Sequence, residues 1–351
     1  MDIMDTMDDN TCPPAVHTVH IVHTVHSSLR EQQLSIGDQL LVREKTIYRG
    51  NCRSVFRNYI LSLILPSLPP SLFLSFFHCA ARRFMTAKGS CMRILFVGDI
   101  VGKGGRNTVN LVVPQLLREY DCQFCVANGE NMAGGGGFTR SCLLEMSNSG
   151  VDVFTSGDHI WDQKDFVEDI KKFPNVLRPA NMAACQPGHG YGVFTSADDK
   201  KVGVLCLLGR TFMGASANCP FEAAERIVPE LRKETPIIVV DFHAEATSEK
   251  IAMGRFLDGK VSAVVGTHTH VPTADQQVLP GGTAFQCDLG MVGARESILG
   301  RDIAPVVSRF RTGMPSRFTV NDKGIRLNGA VVTINADGRA VGIERVMRDI
   351  L

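Results

Sequence analysis

With 351 residues, 44% hydrophobic and 21% charged, the chain can bury a sizeable core in one large or two modest domains, which excludes a disordered protein. Lys and Arg total 37 against 36 Asp and Glu, a formal charge of +1, so no global field directs the chain to nucleic acid or to an anionic membrane, and any affinity for phosphate must be local. Eleven cysteines at irregular positions include one CxxC pair, Cys122 and Cys125, with no second pair to complete a zinc site; they read as reduced cytosolic thiols that mostly fill the core, in a cytoplasmic protein.

Residues 1–91 differ in kind from the remainder of the chain. His17, His20, His23 and His26 recur every third residue in HTVHIVHTVH, a low-complexity pattern whose Val and Thr disfavour a helical metal comb. Residues 59–80 are long and apolar enough for a membrane segment or a signal-peptide core, but Pro66, Pro69 and Pro70 interrupt them and the following ARRF offers no convincing cleavage site. We read 1–91 as an extension, disordered or outside the working domain, with Met85 or Met92 as alternative starts, and 92–351 as the domain that does the chemistry, with no membrane segment of its own.

From Met92 the pattern becomes regular. RILFVGD (93–99) reads as a strand, followed by a helix over 106–120 and a second strand over 124–127 ending in NGEN. After the glycine run 134–137, Thr139 is placed to cap a helix through Ser149. A strand over 151–155 ends in SGDH before a helix over about 162–172. Residues 191–208 read as two strands joined by ADDKK, and a helix over 221–233 leads into a strand from Pro236 that ends in Asp241-Phe-His243. A helix over 247–257 precedes VSAVVGTHTH (261–270), in which a β-branched run too short for a helix reaches Gly266 and then two histidines. Period-two alternation places His268 and His270 on one side, and Gly266 is expected to let the backbone approach whatever is bound. Further strand signals at 283–287, 317–321, 329–335 and 341–346, with few helices between them, predict a mixed or second sheet.

Five of these strands end in residues able to bind metal: Asp99, Glu130 with Asn131, Asp158 with His159, His243, and His268 with His270. Loops beyond strand ends are where α/β folds place their sites. Five of the ten histidines precede Met92, and four of the other five belong to this set. Mixed oxygen and imidazole donors suit Mn, Fe or Zn, and about seven of them exceed what one catalytic ion with an open position takes. Two ions sharing a carboxylate fit better. Such a pair lowers the pKa of a bridging water and clamps the oxygens of an in-line displacement at phosphorus, and His159, beside Asp158, is the candidate general acid; Asp162, three residues on, could orient its imidazole or only cap a helix.

The ordered motifs FVGDIVG, ANGEN, RPAN, DFHAEATSEK, VVGTHTHV and DLGMVG resemble the calcineurin-like metallophosphoesterases, and more narrowly the bacterial YmdB-like family, over Met92 to Leu351. The resemblance implies an α/β fold, a β-sandwich flanked by helices in four αββα layers, and phosphodiester hydrolysis, with 2′,3′-cyclic nucleotides as substrates. It further implies that Asp99, Glu130, Asn131 and His270 hold one ion and that Glu130, Asp158, His243 and His268 hold the second, with Glu130 as the bridge and Fe or Mn, or else Zn, as the metal. Two positions depart from the wider pattern. Val101 stands where the superfamily has a histidine, a loss the YmdB-like branch shares, and Asp158 stands where asparagine is usual.

His189 in PGHGYG has no role in that set and reads as a loop residue. Gly134–Gly137 could offer N–H groups to a phosphate or merely shape the site, and Arg178 and Arg210 could clamp a phosphate or form structural bonds. The expected partner is a small phosphodiester or cyclic nucleotide, not a nucleic-acid duplex, and a homo-oligomer is open. A phosphomonoesterase or phosphoprotein phosphatase is the alternative enzyme, and an interaction protein with a structural metal site is the alternative outside enzymes.

Overall fold

A computed structural model of the chain describes residues 91–350. The histidine repeat and the apolar stretch 59–80 lie outside those residues. In chain order the elements are β1 (Met92–Val97), β2 (Asp99–Ile100), α1 (Gly102–Glu119), β3 (Phe124–Asn128), α2 (Arg140–Glu145), β4 (Val153–Thr155), α3 (Phe166–Asp169), β5 (Tyr191–Thr195) and β6 (Lys201–Leu208). Then come α4 (Pro220–Arg232), β7 (Ile238–His243), α5 (Thr247–Phe256), β8 (Ala263–Thr267), β9 (Gln277–Val278), β10 (Ala284–Gln286), β11 (Met291–Ala294), α6 (Ile303–Thr312), β12 (Ile325–Ile334) and β13 (Ala340–Asp349).

The strands form two sheets. One has the order β2-β11-β12-β1-β3-β4, with β13 also paired to β12, and the other has the order β5-β6-β7-β8-β10-β9. β1, β3 and β4 run parallel, as do β6, β7, β8 and β10, whereas β12 is antiparallel to both β1 and β13. The late strands do make the fold mixed rather than purely parallel, as expected, but β12 and β13 join the first sheet beside β1 and only β10 of the expected late strands joins the second. Period-two alternation explains the layering. In β1, Leu95 and Val97 face α1, while Ile94 and Phe96 face the other sheet. In β6, Val204 and Cys206 point into the space between the sheets, and Leu205 and Leu207 pack under α4 and α5. Three apolar interfaces thus separate four layers, helix, sheet, sheet and helix. Strands buried on both faces read as nearly continuous apolar runs, which is why the sequence marked them so plainly.

Local expectations fail where side chains compete with the helix. Thr139 does cap α2, its Oγ1 accepting from Cys142 N at 3.2 Å, but the helix stops at Glu145 and does not run to Ser149. There the hydroxyls of Ser147 and Ser149 donate to the carbonyls of Leu144 and Met146, at 2.8 and 2.7 Å. The helix expected over 162–172 is the short α3 followed by one 3₁₀ turn, Ile170–Lys172. The strand expected at 317–321 does not form. Only Val320 pairs there, with Arg301, and the preceding helix α6 was not foreseen. Gly266 also has a different reason from the one expected. A Cβ on it would collide with the carbonyl of Cys287, so the glycine admits the neighbouring chain and not a ligand. Cys125, Cys142, Cys206 and Cys287 are buried, as core filler should be, while Cys91 and Cys185 are exposed. No described helix is long and apolar enough to cross a membrane.

Candidate metal centre

The parallel strands of both sheets deliver their C-terminal ends to one place. Asp99 follows β1, Glu130 and Asn131 follow β3, and Asp158 and His159 follow β4. His243 is the last residue of β7, and His268 and His270 follow β8. The packing is close enough that a Cβ on Gly157 would collide with the His243 ring and a Glu130 oxygen. His243 Nε2 lies 3.0 Å from Glu130 Oε1, 3.2 Å from Asp158 Oδ1 and 2.9 Å from His268 Nδ1. Glu130, Asp158, His243 and His268 can each offer one donor atom, all within 4.8 Å of one another. A second group abuts the first. Asn131 Nδ2 lies 3.3 Å from both Glu130 Oε1 and His270 Nε2, and His270 Nε2 lies 3.8 Å from Asp99 Oδ1.

Whether these residues suit metal can be tested on their other bonds. Imidazole binds a cation through an unprotonated nitrogen, and the partner of the other nitrogen selects it. His243 Nδ1 is 2.9 Å from Thr267 Oγ1, which donates to Asp241 Oδ1 at 2.8 Å, so the hydroxyl accepts from Nδ1–H and Nε2 faces the cluster. His268 Nε2 is 3.2 Å from Glu245 Oε2, which leaves Nδ1 facing inward. His270 Nδ1 is 3.2 Å from the carbonyl of Leu299, which leaves Nε2 facing Asp99. All three rings therefore aim a donor atom inward. Asp99 Oδ1 is fully buried with no hydrogen-bond partner, an orphan of the kind a cation would satisfy. Asn131 presents its amide nitrogen to the site, and half a turn of that amide would present the oxygen.

The electrostatics show the same demand. Burial pushes the Asp99 carboxyl well above its ordinary range; His243 opposes the shift, and Asp288, Glu130 and Asp241 add to it. Burial also acts to raise Glu130 and Asp158, but His243 holds both carboxyls below the usual range. Burial alone would lower His243, yet Glu130, Asp158 and Asp99 push the imidazole well above its ordinary value. Burial and the neighbouring His243 push His268 down to about 4, and burial lowers His270. Glu130, Asp158 and Asp99 thus favour a positive charge among them, held in part by His243. A bound cation would displace the proton on His243.

The two histidines of the HTH motif do not reach the site by strand alternation. β8 ends at Thr267, and His268 and His270 have positive φ, 100° and 64°, so the backbone turns and sends the rings to different groups. This turn is held from behind. Asp288 Oδ2 accepts from Thr269 N at 3.1 Å and from Lys250 Nζ at 2.6 Å, and Lys250 also donates to the Thr267 carbonyl at 2.8 Å. Both charged residues are buried. The residues under His243 were equally unforeseen: Asp241 receives Thr155 Oγ1 and Thr267 Oγ1, with Asn128 Nδ2 at 3.3 Å. The available signal was a carboxylate two residues before His243, on the same face of an otherwise apolar strand.

His159 lies outside the four-residue cluster. Its Nδ1 is 2.8 Å from Asp162 Oδ2, as the spacing suggested, and its side chain is 42% exposed, open to a substrate. Its backbone N–H donates to Glu130 Oε2 at 3.2 Å. The glycine run is not a phosphate cradle. The N–H groups of Gly134, Gly135, Gly136 and Gly137 are all taken by the carbonyls of Met132, Asn131, Ala133 and Glu130, so the run folds back on the ligand loop. Arg178 is no clamp either, because its guanidinium is spent on the carbonyls of Pro179, Gln186 and Pro187. His189 sits in that loop, its carbonyl accepting from Arg178 N. Arg210 is exposed, and its backbone N–H is held by Glu249.

Thr267→Val gives a direct check of the ring-orienting bonds. It removes the acceptor that holds the proton on His243 Nδ1, and it is expected to weaken metal binding by about 10- to 100-fold, measured by chelator competition. Unchanged affinity would show that the hydroxyl does not set the tautomer.

A two-sheet sandwich flanked by helices, with carboxylates and histidines gathered at the ends of its parallel strands, defines a phosphoesterase of the calcineurin-like class. Residues 95–346 match the family described as YmdB-like protein, and the chain belongs to that family. It is 46% identical over 257 residues to the 2′,3′-cyclic-nucleotide 2′-phosphodiesterase of Bacillus subtilis (strain 168), covering 73% of this chain and 97% of that one. The crystal structure of a hypothetical protein from Thermus thermophilus superimposes with a TM-score of 0.69 at 35% identity, covering 74% of this chain and 100% of that one. That of a novel phosphatase from Mycoplasma pneumoniae gives 0.70 at 30% identity, covering 74% and 94%.

Proposed function

We propose that this protein is a metal-dependent phosphodiesterase of small cyclic nucleotides, of the 2′,3′-cyclic type, working with two ions. The observation that carries the reading is the inward aim of all three histidine donors at the buried carboxylates, beside an exposed His159–Asp162 pair. Asp99, Asn131, His270 and Glu130 would hold one ion, and Glu130, Asp158, His243 and His268 the other. Bound there, the ions would activate a water and withdraw charge from the phosphate oxygens.

The chain's own groups do the rest. Glu130 joins the two ligand groups, since Oε1 faces both His243 and Asn131. An in-line attack at phosphorus forms one P–O bond and breaks the ester bond, and the leaving alkoxide takes a proton from His159 Nε2. Asp162 accepts from Nδ1–H, which keeps the ring in the donating orientation and supports its positive charge. The test is hydrolysis of a panel of cyclic nucleotides, linear diesters, phosphomonoesters and phosphopeptides by protein loaded with Mn(II) or iron. Preference for monoesters would replace this reading with a phosphatase. No turnover of any substrate at full metal content would favour a structural metal site.

Asp158 bears on which metal is used. A carboxylate in place of asparagine removes one unit of positive charge from a centre that must attract an anion, and one trivalent ion would restore it. We therefore expect an iron-containing centre to outperform Mn(II) alone, and Asp158→Asn to shift the preference towards Mn(II). Comparing kcat/KM for both proteins in both metal states checks this. A wild type equally active with Mn(II) alone, and unchanged by the substitution, would refute the charge argument.

A further inference from the structure

The glycine run that proved not to be a phosphate cradle has a charged neighbour outside the ligand set. Arg301 Nη2 donates to the Gly135 carbonyl at 2.5 Å, and a Cβ on Gly135 would collide with the guanidinium, so the side chain lies flat against the loop. The loop is clipped to the ligand residues, Gly135 N to the Asn131 carbonyl at 3.0 Å and Gly137 N to that of Glu130 at 2.5 Å. At its other end, Arg301 closes a tight turn with Ile298, through reciprocal N–H to carbonyl bonds of 2.9 Å. Leu299 in that turn accepts from the His270 ring. Arg301 is thus tied on both sides to segments that carry proposed ligands.

Its charge is uncompensated. Arg301 is half-buried, yet among the described residues it forms no ion pair and its single side-chain hydrogen bond is to a neutral carbonyl. Burial lowers its affinity for the proton, and no carboxylate opposes the shift. Arg106, which also touches this loop through the Met132 carbonyl, is paired with Glu145 at 2.8 Å, and Lys250 is paired with Asp288. A partly desolvated guanidinium with four spare N–H donors and no carboxylate partner can receive an anion. At the next residue of the same loop, Asp162 lies against Gly136 and Gln163 Nε2 donates to the Gly136 carbonyl at 2.8 Å. The loop therefore touches both the His159–Asp162 pair and Arg301.

We infer that Arg301 is the substrate's anion-binding residue, its spare guanidinium N–H groups donating to a non-bridging oxygen of the phosphodiester that His159 protonates. The inference deepens the phosphodiesterase reading and rests on it for the identity of the anion. It is tested with the metal-loaded full chain carrying Arg301→Met or Arg301→Lys. Measured are kcat and KM for 2′,3′-cyclic AMP, inhibition by inorganic phosphate, and metal content.

For Arg301→Met, KM and the inhibition constant of phosphate are both expected to rise about 10- to 100-fold, the size of a lost charge-assisted hydrogen bond. Metal content should be unchanged, and Arg301→Lys should recover part of the loss by keeping charge without the fork. Unchanged KM and phosphate inhibition in Arg301→Met would overturn the inference. So would a parallel fall in metal content, which would make Arg301 only a strut for the Gly135 and His270 segments. If the wild type hydrolyses no cyclic nucleotide, the functional reading fails by itself, and direct titration of the metal-loaded wild type and Arg301→Met with inorganic phosphate by calorimetry still decides whether Arg301 binds an anion. A wild type that phosphate does not inhibit at millimolar concentration also overturns it.

Discussion

Glu130→Gln is expected to empty the centre. Bound metal should fall from two ions per chain to one or none, and kcat/KM by well over the roughly 10- to 100-fold that loss of a partner one bond removed from the metal costs. The argument rests on position. Glu130 is fully buried, and its Oε1 lies 3.0 Å from His243 Nε2 and 3.3 Å from Asn131 Nδ2, so the same oxygen faces both ligand groups. Glutamine keeps the shape but gives up the charge that two cations would share. Asn131→Ala touches one group only and should cost less metal. Elemental analysis after dialysis, with far-UV circular dichroism to confirm the fold, decides the point. Two ions retained in Glu130→Gln would end the bridging assignment.

His159→Ala is expected to leave both ions in place and slow turnover of cyclic nucleotides by about 10² to 10⁴, the usual size of general-acid catalysis. Its ring is outside the four-residue cluster and bonded to Asp162, so removing it takes away a proton donor and no ligand. The signature is the dependence on leaving group. A nitrophenyl ester departs without protonation and should be hydrolysed nearly as fast by the variant as by the wild type. Equal losses on good and poor leaving groups would rule out the acid role. Asp162→Asn should reproduce the pattern more weakly, because it leaves the ring but loosens its orientation.

The candidate ligand residues are legible in the sequence because of where they stand. An apolar run that stops at Gly-Asp, at Asn-Gly-Glu-Asn or at Gly-Thr-His-Thr-His announces a buried strand and the polar residues beyond its end, and burial on both faces makes the run continuous. Glycine loops, turns and short helices are less legible. The run 134–137 by composition allows either a phosphate-binding loop or one that only shapes the site, and its N–H groups prove to be spent on the carbonyls of Glu130, Asn131, Met132 and Ala133, a choice made by backbone geometry. The α2 helix stops early because serine hydroxyls compete for its carbonyls.

Sequence by itself determined the order of the parallel core strands and the helices between them, the candidate ligands and the His159–Asp162 spacing, all carried by neighbours a few residues apart. Tertiary structure alone decided which group each residue joins. His268 and His270 face different groups because the backbone between them turns through positive φ, pinned by Asp288 from beyond β10. The same holds for Asp241 under Thr155 and Thr267, Glu245 against His268 and Arg301 over Gly135. Periodicity records which side chains must leave water. A buried polar group must instead find a partner of matching donor and acceptor type, and that partner comes from whichever distant segment the packing brings near.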